Sequence, residues 1–141
     1  MKVIFLGAGA WGTAMAMHAS KNPKDFDVTL WSRSSSLADE MTKTHRNQKY
    51  LPSIDLPHQL KMISNWEAIF TDASEQDLVV IATPVAGLKD TVHALLKHVD
   101  LIFPVGMFLK ENKRLKSKKD KDTLKEVQAG HLRREHTRIQ Y

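Results

Sequence analysis

The chain contains no cysteine. Disulfide scaffolds, thiolate zinc sites and cysteine nucleophiles are therefore excluded, nothing points to an oxidising compartment, and a cytoplasmic address is expected. The sequence also lacks an uninterrupted apolar run near the ~18 to 20 residues that a membrane-spanning helix needs, so no span is expected. Lys2 and the small, apolar residues over 3–19 superficially resemble a secretory leader, but glycines interrupt the stretch and a strand pattern soon follows. No H-x-x-x-H pair is found among the seven histidines, and His93 and His98, five apart on an expected helix, lie too far round to converge. No metal site is expected from such a set. Glycine and proline are scarce, six and five in 141 residues, and three of the glycines fall between positions 7 and 12.

Charge is present but unevenly spread. The formal net charge is +5, yet residues 1–106 carry 10 basic against 11 acidic groups and residues 107–141 carry 11 against 5. The basic excess belongs to the final segment and not to the body. Between Leu115 and Leu124 there is no apolar residue that could dock on a core. Residues 107–141 are therefore expected to be a solvated basic tail, disordered or helical in part around 124–127. Such a tail can touch phosphates, but it lacks interleaved aromatics and an arginine-rich reading motif, so nucleic acid is not an expected partner. With 42% hydrophobic and 26% charged residues the chain as a whole is globular in composition, and its length suits one domain.

The body alternates two patterns. Val3-Ile4-Phe5-Leu6 is a short apolar run ending in glycine, as in a strand buried on both faces of a parallel sheet. Residues 13–20 predict a helix, 28–31 a second strand, 35–44 a helix with serines suited to capping, 61–64 a third strand and 66–73 a helix. Residues 50–57, with two prolines and no periodicity, predict a loop. Residues 77–82 predict a fourth strand stopped by Thr83-Pro84, a helix follows from the spacing of Leu88, Val92, Leu95, Leu96 and Val99, and 101–105 return to strand character. Strand and helix in alternation mean right-handed βαβ units, so the expected class is α/β, a doubly wound parallel sheet of Rossmann type.

The three clustered glycines form Gly7-Ala8-Gly9-Ala10-Trp11-Gly12, a G-x-G-x-x-G directly after the first strand. In that context Gly7 permits a tight turn, Gly9 lets backbone approach a pyrophosphate and Gly12 lets helix pack closely on strand. A dinucleotide site is expected. About 20 residues on, where an acidic residue would hold the ribose of NAD, the sequence reads Trp31-Ser32-Arg33-Ser34. A guanidinium among hydroxyls suits a 2′-phosphate, which favours NADP, or both cofactors, over NAD alone.

Gly-Ala-Gly-Ala-Trp-Gly-Thr-Ala (7–14), Val-Thr-Leu-Trp-Ser-Arg (28–33), Tyr-Leu-Pro (50–52), Leu-Pro (56–57) and Ala-Thr-Pro-Val-Ala-Gly-Leu (82–88) occur in this order. Together they resemble the amino-terminal domain of the bacterial NAD(P)-dependent glycerol-3-phosphate dehydrogenases over roughly residues 1–105. The resemblance implies reduction of dihydroxyacetone phosphate to sn-glycerol 3-phosphate, feeding glycerophospholipid synthesis. It also implies that Ala10, Trp11, Arg33 and Tyr50 touch the cofactor and that Pro84 lies beside it.

Departures from the family pattern bear on function. The family has a Lys-Gly pair after the fifth strand, whose lysine contacts cofactor and substrate. Here Phe108-Leu109-Lys110-Glu111-Asn112 stands instead. Lys110 falls at the matching distance but Glu111 replaces the glycine, and an equivalent residue and a chance lysine of a basic tail remain equal readings. The carboxy-terminal helical domain, which in the family supplies the catalytic lysine, has no counterpart in these residues. The expectation is thus a truncated member: a cofactor-binding unit at 1–106, a segment at 107–141 unrelated to the family pattern, and no turnover by the chain alone. Two other readings stay open, a hydroxyacid or ketopantoate reductase type of dehydrogenase and a non-catalytic nucleotide-binding fragment. An uncovered apolar edge at 101–105 predicts self-association.

Overall fold

The computed structural model describes residues 1–98, apart from 75, and the strand at 105–107. Five parallel strands form the main sheet: β1 (Lys2–Leu6), β2 (Asp27–Trp31), β5 (Lys61–Ile63), β6 (Leu78–Ile81) and β7 (Val105–Met107). Their spatial order is β5-β2-β1-β6-β7. Helices α1 (Ala10–Ala19), α2 (Ser35–Thr44), α3 (Trp66–Phe70) and α4 (Val85–His98) connect them.

Side chains that alternate along each strand divide the core into two layers. Val3 and Phe5 of β1, Val28 and Leu30 of β2, and Val80 of β6 face one way, onto Ala16 of α1 and Leu37 and Met41 of α2. Ile4, Leu6, Trp31, Val79 and Ile81 face the other way, onto Ile69 of α3 and Leu88, Val92 and Leu95 of α4. Because both faces are covered, the strands read as unbroken apolar runs. A fully buried Leu6 or Leu30 each contributes about 2 kcal/mol of hydrophobic stabilisation. This is the doubly wound, Rossmann-type architecture expected from the alternation.

Several boundaries differ from expectation. Residues 50–57 are not simply a loop: β4 (Leu51–Asp55) pairs antiparallel with β3 (Arg46–Asn47) in a separate two-stranded sheet. Pro52 is compatible with β4 because a strand paired on one side leaves its other backbone groups to solvent. Arg46 and Asp55 close the hairpin with an exposed ion pair, which raises the arginine pKa and lowers that of the carboxyl, chiefly through their hydrogen bond. The first helix begins at Ala10 rather than 13, because a glycine precedes it instead of a capping side chain that would mark its start. The last strand runs to Met107, one residue past the 1–106 boundary, while 101–104 lie outside the described residues. So do Lys110 and the expected helical turn at 124–127.

Candidate functional site

β1 has β2 on one side and β6 on the other, so the chain order in the sheet reverses between β1 and β6. Open α/β sheets bind ligands in the crevice outside the carboxyl ends of strands at such a point. Here the crevice is bounded by the glycine loop leaving β1 and by Ala82, Thr83 and Pro84 leaving β6.

The three glycines of the loop have different reasons to be there. Gly7 has φ 126°, a conformation that side-chain-bearing residues rarely adopt, and a Cβ would lie 2.8 Å from the Ala82 carbonyl oxygen. A Cβ on Gly12, in the first turn of α1, would stand 2.0 Å from the Gly7 carbonyl oxygen and 3.0 Å from the Ala82 Cβ. Packing against the protein therefore requires both. Gly9 has φ −72° and ψ 178°, ordinary extended backbone, and a Cβ there would meet nothing within 4 Å. Open space, not protein, lies where its side chain would be.

The start of α1 is bare as well. Gly9 provides no side-chain cap and the first turn carries no acidic residue. By contrast, the Ser34 hydroxyl accepts from the Leu37 amide at 3.3 Å before α2. Before α3, Asn65 Oδ1 accepts from the amides of Glu67 and Ala68 at 2.8 and 3.4 Å. A helix start without a side-chain cap and the positive end of the helix dipole favour an anion in front of α1.

The other expected residues surround this point unequally. Ala10 is exposed and Trp11 half-buried against the α1 side of the core. Arg33 follows β2, exposed and without an ion pair among the described residues, in a turn where the buried Ser32 hydroxyl accepts from the Ser34 amide at 3.2 Å. Beneath that turn the Trp31 indole donates to the Ser64 carbonyl at 3.0 Å and packs on Trp66. Pro84 is exposed just before α4, next to Thr83, whose hydroxyl is buried without a hydrogen-bond partner among the described residues. Tyr50 is 42% exposed at the turn of the β3–β4 hairpin, with the Lys49 ammonium 5.3 Å from its ring centre.

One residue that the sequence reading passed over ties these parts together. Asn47, fully buried, donates to the Ala8 carbonyl at 3.0 Å and to the Thr13 hydroxyl at 2.8 Å. Its side-chain oxygen accepts from the Tyr50 amide at 3.2 Å. An asparagine before Gln-Lys-Tyr-Leu-Pro reads as a turn residue, and no spacing in the sequence signals that it reaches the glycine loop. Among the described residues no three His, Asp or Glu side chains gather as a metal site would need; His45 and His58 form only a pair, ring nitrogens 3.2 Å apart.

Comparison with known proteins follows the same lines. The family model described as NAD-dependent glycerol-3-phosphate dehydrogenase N-terminus matches residues 2–136, a span that runs past Gly106 into the basic segment. The glycerol-3-phosphate dehydrogenase [NAD(P)+] of Polynucleobacter asymbioticus is 47% identical over 97 residues, which are 69% of this chain and 28% of that protein. The chain thus spans under a third of the length of that relative. A crystal structure of glycerol-3-phosphate dehydrogenase from Coxiella burnetii superposes with a TM-score of 0.66 at 28% identity, covering 81% of this chain and 34% of the other. Glycerol-3-phosphate dehydrogenase from Plasmodium falciparum shares the fold, with a TM-score of 0.67 at 23% identity over 87% of this chain and 38% of that one. On the glycine loop, the sheet order and a match over nearly its whole length, the chain belongs to the NAD-dependent glycerol-3-phosphate dehydrogenase N-terminal family.

Proposed function

We propose that this chain binds NADP or NAD across the carboxyl ends of β1, β6 and β2, as the nucleotide-binding part of a glycerol-3-phosphate dehydrogenase. The observation that carries the reading is the contrast within the loop: Gly7 and Gly12 are fixed by packing, while Gly9 faces empty space at a helix start that no side chain caps. That open space, in front of the positive end of α1, suits a pyrophosphate. When bound, the reduced nicotinamide supplies the hydride that turns dihydroxyacetone phosphate into sn-glycerol 3-phosphate.

The chain's own residues then divide the work. Gly9 brings backbone close to the diphosphate, and Gly7 and Gly12 hold the turn and the helix in place for it. The first turn of α1, at Ala10 and Trp11, presents the positive end of the helix dipole to it. Arg33 takes the adenosine end, where its free guanidinium favours a 2′-phosphate. Tyr50 and Pro84 border the bound molecule. Reduction also needs a proton donor and cations for the substrate phosphate. Lys110 is this chain's candidate for contact with both cofactor and substrate, and the family's catalytic lysine belongs to its carboxy-terminal helical domain. The binding unit is residues 1–106 and the protein works in the cytoplasm; no helix among the described residues is long and apolar enough to cross a membrane. Self-association through the edge strand β7 is part of the same reading, and light scattering tests it separately.

Titration with NADPH and NADH tests the proposal. Saturable binding is expected, with Arg33→Ala weakening NADPH by about tenfold and NADH much less. Equal losses for both cofactors would remove Arg33 from the 2′-phosphate, and no binding of either would end the reading.

A further inference from the structure

Asn47 is more than a buried polar residue with its hydrogen bonds satisfied. It sits on β3, in a sheet separate from the one that carries the glycine loop. All of its side-chain bonds lead to places assigned above to the cofactor site. Its amide nitrogen holds Ala8, between Gly7 and Gly9, and Thr13, in the first turns of α1. Its oxygen holds the amide of Tyr50. The Tyr50 amide is also within 3.2 Å of the Asn47 carbonyl, so this turn is fixed twice from one residue.

Burial makes these bonds demanding. Asn47 and Thr13 are both fully buried, and a lost partner would not be replaced freely by water. The root of the loop is fixed by the Gly7 amide, which donates to the Trp31 carbonyl at 3.0 Å, and by Gly7 packing on Ala82, but beyond it Gly9 has no side chain and faces open space. The Asn47 bond to the Ala8 carbonyl ties this part of the loop to the hairpin, and the same side chain holds the Tyr50 turn.

We propose that Asn47 is a positioning residue of the cofactor site, a hydrogen-bonded latch that sets the glycine loop and the Tyr50 turn at a fixed separation so that both meet one bound dinucleotide. It acts through Ala8, Thr13 and Tyr50, without touching the cofactor. The inference rests on the proposed cofactor reading for its ligand, and on the hydrogen bonds for its geometry.

The test is NADP⁺ and NADPH titration of the full 141-residue chain by calorimetry, with thermal melting of each variant in parallel. Asn47→Ala is expected to raise the dissociation constant by about tenfold or more at temperatures where it is still folded. Thr13→Val, nearly isosteric, removes one acceptor and is expected to cost about threefold, which keeps the test usable if Asn47→Ala does not fold. Asn47→Asp supplies a pH signature. Its ionised carboxylate faces the Ala8 carbonyl and binding is weak, whereas protonation restores an O–H donor, so its NADP⁺ affinity relative to wild type rises as pH falls from about 8 to about 5. A purely structural role would lower melting temperatures and leave the affinity of the folded variants and that pH ratio unchanged, which would overturn the latch. Absence of binding by the wild-type chain would instead overturn the cofactor reading. In that case amide exchange decides the latch: loss of protection at Tyr50 and at the α1 amides together in Asn47→Ala supports it, and loss at one alone overturns it.

Discussion

The two ends of the strands are finished in different ways. At the amino ends the chain pairs its own groups. Asp77, 4% exposed before β6, accepts from the Lys2 amide at 2.7 Å, the Ser74 amide at 2.8 Å and the Ser74 hydroxyl at 3.2 Å. Lys2 reaches the Thr71 carbonyl, and Lys61 pairs with Asp27 across β5 and β2. At the carboxyl ends α1 starts without a cap, Gly9 faces open space, Thr83 keeps a buried hydroxyl without a partner among the described residues, and Arg33 has no ion pair among them. One end closes itself, and the other leaves donors and a cation for something else. The difference locates the site independently of any motif, since polar groups left unpaired near a cleft carry a cost that a ligand can offset.

The largest expected effect comes from Gly12→Ala. Its Cβ would clash with the Gly7 carbonyl oxygen, so the helix must move off the strand, and we expect a loss of about 3 kcal/mol in urea unfolding. Next is the self-satisfied end. Burial pushes the Asp77 carboxyl pKa up, but the amides of Lys2 and Ser74, the Ser74 hydroxyl and the Lys2 charge outweigh it and hold it below the usual carboxylate value. Because the folded pKa lies below the unfolded value of about 3.9, this stabilisation is present above that pH and is lost as pH falls through the folded pKa. Asp77→Asn should cost about 2 kcal/mol at neutral pH and flatten the acid limb of the stability curve, and an unchanged acid limb would assign that limb to other groups. Smaller, and opposite in sign, is Thr83→Val. Removing a buried hydroxyl that has no partner should stabilise the chain by about 1 kcal/mol in the same assay. A loss instead would show that this end, too, satisfies itself, and the comparison would fail there.

Much of the fold was legible because burial on both faces of the sheet writes itself as runs such as Val3 to Leu6 and Leu78 to Ile81. The glycine loop was legible for a related reason, since close approach of β1, α1 and β6 leaves no room for side chains at 7 and 12. What was missed depends on contacts between parts distant in sequence. The β3–β4 hairpin has a proline within β4, another just after it and mostly exposed residues, so neither periodicity nor propensity marks it. Asn47 reaches Ala8 across 39 positions, and no local pattern encodes a hydrogen bond of that range. The start of α1 was placed late because the feature that suits it to an anion, the lack of a capping side chain, also erases the usual sign of a helix beginning.

The central claim is that Gly9 is glycine for the sake of a ligand and not of the fold. Gly9→Ala measures this directly when melting and NADPH titration are made on the same sample. Losing glycine at the cap position costs about 0.5 kcal/mol, and the lower entropy of the unfolded chain returns a similar amount, so stability should stay within about 0.5 kcal/mol of wild type. The added methyl group occupies the space in front of the loop, so NADPH affinity should fall by about tenfold or more. Wild-type affinity in a fully folded Gly9→Ala would contradict the account, because the open space would then belong to no cofactor.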